Sequence, residues 1–207
     1  MRRLLGIVVV AGLGLLAMPV VASAAPSATD GTTRAVVKPA GISLRYPSAW
    51  IVAEQTKEEL AAQVEALAAT DPDLAAQLAQ TDLQTAKFRA IDPAAGAGEV
   101  RSGVRVQVVN SPAPKNLATF TKEATRTYEA AGDTVLGTDG VEIGGATAYR
   151  FDLTVPIATS GATPTVARIS QLAVPRGSKA SLVTVSAPDT AAGAAQIDAI
   201  LGSVRRR

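Results

Sequence analysis

The chain has 207 residues, with 20 basic and 18 acidic side chains, three phenylalanines, three tyrosines, one tryptophan, and neither cysteine nor histidine. It can form no disulfide and offers no thiolate or imidazole, which excludes Ser-His-Asp and Cys-His catalysis and every His or Cys metal site. A formal charge of +2 without a basic stripe in the body leaves no nucleic-acid footprint.

Met1-Arg2-Arg3 is a short basic head, residues 4–21 are apolar, and Ala22-Ser23-Ala24 supplies the small residues of a cleavage site. This reads as a Sec-type signal peptide over residues 1–24, cleaved after Ala24 or Ala25. The apolar run approaches spanning length, so a retained anchor is the alternative; Pro19 and the small-residue site favour cleavage. The protein is then expected to be secreted or associated with the cell envelope, with no transmembrane span left. Without cysteine there is no lipidation site. Roughly 180 residues remain, enough for one domain with a sizeable core. Residues 25–32 are small and polar and read as a disordered tether; residues 33–207 form the single domain.

Residues 33–37 read as a strand that pairs with 42–46 across Lys38-Pro39-Ala40-Gly41. Ile42, Leu44 and Tyr46 alternate with Ser43 and Arg45, the period of a half-buried strand. Pro47 lacks the donor to continue and turns the chain, delivering Trp50 onto the end of the core. Thr56-Lys57-Glu58-Glu59 is a capping box, and Leu60, Val64 and Leu67 make the stripe of a helix reaching about Ala69. Asp71 caps a second helix with Pro72 at its first position and Leu74, Ala75 and Leu78 inward. These two make a helical insertion over about 56–80, a hairpin laid on the sheet.

Residues 87–91 read as a strand ended by Asp92-Pro93 and the loop 94–99. Val104, Val106 and Val108 alternate with Arg105 and Gln107, a strand with one wet face. After the loop 111–114, Asn116 caps a helix with Leu117, Phe120, Ala124, Tyr128 and Ala131 on one side and Gly132 at its end. Strands 141–143 and 146–155 flank Gly144-Gly145, a hairpin turn, with Tyr149, Phe151, Leu153 and Val155 on one face. A polar loop, 158–163, leads to strand 165–174. Pro175-Arg176-Gly177-Ser178 turns the chain into strand 180–187. Asp189 or Thr190 starts a closing helix with Ile197, Ile200, Leu201 and Val204 inward. Arg205, Arg206 and Arg207 trail off it, complementing its macrodipole.

This order of elements, with Gly41-Ile-Ser-Leu-Arg-Tyr-Pro-Ser-Ala-Trp50, Val141-Glu-Ile-Gly-Gly-Ala-Thr-Ala-Tyr149 and Ile197-Asp-Ala-Ile-Leu-Gly-Ser-Val204, resembles the PsbP-like α/β sandwich superfamily. Within it, the chain is most like the exported actinobacterial LpqN-type group. The resemblance covers nearly all of residues 33–207 and implies an α+β fold, a single mainly antiparallel sheet with helices packed on it. It also implies a non-enzymatic binding or assembly factor with no common catalytic set. Many of that group carry a lipobox cysteine, which is absent here.

No catalytic set, metal site or cofactor is expected. Asp71-Pro72-Asp73 is a helix cap rather than half of a calcium site, and Glu58-Glu59 are first-turn acids rather than an acid/base pair. Arg150 and Asp152 share a strand face and read as a solvated ion pair. Ser160-Gly161 and Ser170 have no recognisable base nearby, and Ser178-Lys179 are adjacent on a turn and cannot readily face each other. The candidate ligand-binding residues are Trp50, Leu60, Val64, Leu67, Leu74 and Leu78. They wall an apolar cleft if the hairpin sits loosely and are simple core if it closes. The expected function is an exported, non-catalytic binding or interaction protein of the cell envelope or extracellular space, with an unknown protein or a lipophilic ligand as partner. The alternatives are a carrier of a lipophilic ligand and, further off, a hydrolase.

Overall fold

The computed structural model describes residues 31–96, 99–110, 117–157 and 165–207. The expected signal peptide, the tether up to Asp30, the loops 111–114 and 158–163, the Asn116 cap, Ser160-Gly161 and the side chains of Leu117 and Phe120 lie outside the described residues.

Strand β1 (Thr32–Val37) turns through a 3-10 segment (Lys38–Ala40) into β2 (Ile42–Pro47), pairing Thr32 with Pro47 and Val37 with Ile42. The strand runs one residue past Tyr46 before the Trp50 amide bonds the Pro47 carbonyl at 3.1 Å, closing the expected turn. Then come β3 (Ile51–Val52), α1 (Lys57–Ala68), α2 (Pro72–Ala79), β4 (Ala86–Ile91), β5 (Gly103–Val109) and α3 (Leu117–Ala130). The chain finishes with β6 (Thr134–Ile143), β7 (Ala146–Ile157), β8 (Thr165–Arg176), β9 (Lys179–Pro188), α4 (Ala191–Gly202) and β10 (Arg205–Arg206). Gly144 and Gly145 both take positive φ, as the two-residue β6–β7 turn demands.

Seven strands form one antiparallel sheet in the order β3-β4-β5-β9-β8-β7-β6. The α+β class and the mainly antiparallel sheet are as the sequence implies; a second sheet, β1-β2-β10, accompanies it. The main core lies between them: Ile42, Leu44, Tyr46 and Trp50 meet Phe88, Val104, Val106, Leu172 and Val183, and α4 closes the layer with Ile197, Ile200, Leu201 and Val204. Helix α4 sits so close to the end of β9 that a Cβ on Gly193 would stand 2.1 Å from the Pro188 carbonyl oxygen.

Four local expectations need correction. Arg205 and Arg206 do not trail off the helix; they pair with Ser43 and Ile42, and the Arg207 amide reaches the Gly41 carbonyl. The free edge of β2 supplies the unpaired backbone groups that capture them. Helix dipole and strand coexist there, since Arg205 Nη1 also donates to the Gly202 carbonyl at 2.7 Å. Strand β6 begins at Thr134, seven residues before Val141, because its pairing with β7 overrides the low strand propensity of Gly137 and Gly140. The β8–β9 turn is only Gly177-Ser178, with Pro175 and Arg176 inside the ladder. The supposedly wet face of β5 is sheltered: Gln107 is buried and donates to Thr85 Oγ1 at 3.2 Å, and Arg105 is half-buried.

Candidate functional site

Strand alternation places Arg89, Arg105, Thr184 and Gln171 in one row across β4, β5, β9 and β8, on the face turned away from the main core. The next row is Ile91, Gly103, Ser186 and Ile169. Gly103 leaves a notch between larger neighbours; a Cβ there would lie 3.2 Å from the Ala90 carbonyl oxygen.

Among the described residues, two helical units cover this face in part. At one end, Leu60, Leu74 and Leu78 of α1 and α2 bury themselves with Ala53 and Ile91. At the other, Ala124 and Tyr128 of α3 pack on Phe151 and Leu153, the Tyr128 and Phe151 rings stacked at 5.0 Å. The Tyr128 hydroxyl donates to Gln171 Oε1 at 2.7 Å. The strip that the described residues leave open is a groove of about 220 Å³ floored by the two rows apart from Gln171 and walled by Gln77, Gln80, Arg101 and Thr165.

Positive charge collects in this groove. Burial lowers the Arg89 guanidinium to about 10, and the neighbouring charge of Arg105 adds to the shift. Burial lowers Arg105 too, opposed by Tyr128 and Asp82. Arg89 donates to Thr81 Oγ1 at 2.9 Å, and neither arginine is in an ion pair among the described residues. The hydroxyls of Thr165 and Thr184 are buried on the groove wall and floor and have no hydrogen-bond partner among the described residues. Glu99, the carboxylate on the rim, is exposed and accepts from the Gly96 amide at 2.9 Å. Arg101 is spent as a strut: it is 3% exposed, pairs with Asp71 at 2.9 Å and donates to the Pro93 carbonyl at 3.1 Å. Two guanidinium groups and the Thr184 hydroxyl beside Arg105 suit an oxyanion, since guanidinium donors match carboxylate and phosphate geometry.

The six residues singled out from sequence do not come together around a cleft. Trp50, 5% exposed, belongs to the main core. Leu60, Leu74 and Leu78 are buried in a separate cluster, with Val64 and Leu67 packed against it. None of the six lines the groove. The hairpin is held shut by its own leucines and by Gln63, which donates to the Val52 carbonyl at 2.8 Å and accepts from the Glu54 amide at 3.2 Å.

The other sequence motifs fall elsewhere. Asp71 caps α2 through the Leu74 amide at 3.0 Å. Thr56 accepts from the Glu59 amide, and the Glu59 carboxylate takes the Thr56 hydroxyl rather than its amide. Arg150 pairs with Asp152 at 3.0 Å and Asp198 at 2.7 Å, and buried Ser170 donates to Asp152, a network that ties α4 to the sheet. Ser178 and Lys179 are exposed at the β8–β9 turn. No cluster of three or more potential metal ligands occurs among the described residues, and no described helix is long and apolar enough to cross a membrane.

Sequence reasoning missed Arg89 and Arg105 as a pair. Each could be placed opposite the apolar face of its own strand, but only the β4–β5 register sets them side by side.

No protein-family model matches this sequence, and no curated protein does. Among solved structures, the chain is similar to cyanobacterial PsbP (CyanoP) from Synechocystis sp. PCC 6803, at 12% identity and a TM-score of 0.50, over 90% of this chain and 99% of that one. It is also similar to the Saccharomyces cerevisiae Ran-binding protein Mog1p, at 11% identity and a TM-score of 0.48, over 85% of this chain and 95% of that one. The fold is α+β of the PsbP-like kind.

Proposed function

We propose that this is an exported, non-catalytic binding protein of the cell envelope or extracellular space, of the LpqN-type group, and that its ligand carries an anionic group held in the open-face groove. The observation that carries the reading is the Arg89–Arg105 pair, sheltered, unpaired with acid among the described residues, and set beside the Thr184 hydroxyl, which has no partner among those residues. A buried hydroxyl without a partner is costly, and two cations side by side repel; a bound oxyanion relieves both. The lipophilic carrier loses its support with the closing of the hairpin.

Native mass spectrometry of the protein recovered from its host tests this. The expected result is a polar, anionic adduct that Arg105→Gln loses. An acyl-chain adduct retained by Arg105→Gln would replace this reading with the lipophilic carrier.

A further inference from the structure

We propose a second anion site, independent of the groove, in a hollow on the outer face of the small sheet, and that it takes a phosphate group. The register pairs Arg34 with Arg45, Val36 with Ser43, and Arg205 with Ser43. Antiparallel partners share a face, so Arg34, Ser43, Arg45 and Arg205 all project from the side opposite the core residues Ile42, Leu44 and Tyr46. They surround a hollow of about 250 Å³ completed by Ser203.

All three arginines are exposed, and none is in an ion pair among the described residues. Like charges placed directly opposite on neighbouring strands are destabilising, and no carboxylate among the described residues pairs with Arg34 or Arg45. Each guanidinium is instead steered by neutral acceptors. Arg34 Nη2 donates to Ser43 Oγ at 3.0 Å, Arg45 Nη1 to Thr32 Oγ1 at 3.4 Å, and Arg205 Nη1 to the carbonyls of Gly202 and Val204 at 2.7 and 2.8 Å. A guanidinium has five N–H donors, so each keeps several unspent. Three cations converging from three adjacent strands match the three outward oxygens of a phosphate ester better than the two oxygens of a carboxylate. The terminal strand β10 is what completes the set, because its pairing with β2 brings Arg205 into the hollow.

The protein recovered from its host is titrated with sodium phosphate at constant ionic strength while backbone amide resonances are followed. The expected result is a saturable shift of Ser43, Arg45, Ser203 and Arg205 that Arg105→Gln leaves unchanged and that follows an isotherm separate from any shift of Gly103 and Thr184 in the groove. Arg34→Gln with Arg45→Gln should weaken binding by about tenfold or more, as befits the loss of charged hydrogen bonds, while the melting temperature holds or rises; Arg205→Gln should do the same from a different strand. Sedimentation with vesicles of phosphatidic acid in phosphatidylcholine against phosphatidylcholine vesicles distinguishes the source. Binding to the first alone, lost in the double variant, assigns the phosphate to a lipid headgroup; saturable phosphate without vesicle binding assigns it to a soluble phosphate. Absence of both, or binding that the double variant leaves unchanged, overturns the site.

Discussion

Arg89 and Arg105 stand directly opposite each other across the β4–β5 ladder, and burial with mutual repulsion holds Arg89 down to about 10. A base whose folded pKa lies below its unfolded one makes the fold less stable wherever both states are protonated. The cost is relieved only as pH rises through about 10. At neutral pH the strain is therefore fully present. Arg105→Met should raise stability by up to about 1 kcal/mol, as for a like-charge cross-strand pair removed, while weakening anion binding. Urea midpoints with an unchanged slope check it; a lowered midpoint would mean that Arg105 serves the fold rather than a ligand.

Asp71 caps α2 and compensates the buried Arg101 at once. Asp71→Ala removes the cap and strands a guanidinium that is 3% exposed, and should cost about 3–5 kcal/mol, the range for one-sided loss of a buried pair. Asp71→Asn keeps an acceptor for the Leu74 amide but removes the charge that compensates Arg101, so it should keep most of that loss. An Asp71→Asn variant that melts like the wild type would remove Arg101 from the explanation.

Trp50 is the main core's indole, 5% exposed and clustered with Tyr46 and Phe88. Trp50→Ala should destabilise by roughly 3–5 kcal/mol, the range for large-to-alanine core changes. Wild-type fluorescence should be blue-shifted and protected from quencher. A red-shifted, accessible emission with an unchanged midpoint in the variant would contradict this placement.

Gly193 is fixed by contact rather than by backbone angle. Its added Cβ would meet the Pro188 carbonyl oxygen at 2.1 Å and Ala187 Cβ at 3.2 Å, so Gly193→Ala must lift α4 off β9. The expected cost is about 1–3 kcal/mol, the range for overpacking, despite the higher helix propensity of alanine. Thermal melts that show stabilisation would mean that α4 shifts freely.

What the sequence disclosed was what neighbouring residues decide among themselves. Thr56 with Glu59, Asp71 with Pro72, Gly144 with Gly145, and the alternation of Ile42, Leu44 and Tyr46 each carry their structure within a few positions. The groove is the opposite case. Arg105 meets Arg89 on one side and Thr184 on the other only because β9, late in the chain, inserts beside β5. The Asp71–Arg101 pair likewise joins a helix cap to the start of a distant strand. Arg205 and Arg206 misled because cations at a helix end have a sufficient local explanation, whereas their partner strand lies at the beginning of the domain. The apolar stripe of Leu60, Val64, Leu67, Leu74 and Leu78 was visible, but its partner was not; α1 and α2 satisfy each other and the edge of the sheet.

The two ends of the large sheet differ in what they offer another copy of the chain. Strand β3 is two residues long, and Gln63 occupies its Val52 carbonyl like a single rung of side-chain ladder. A two-residue edge so occupied gives an incoming strand almost nothing to bind. The opposite end, β6, presents ten residues, broken by a bulge between Val135 and Gly137 and carrying Asp139 and Glu142. Fibre growth by edge pairing needs a donor and an acceptor edge on every copy. Among the described residues, two copies joined through β6 would leave only their two-residue β3 edges for a third, so the large sheet suits a pair better than a chain.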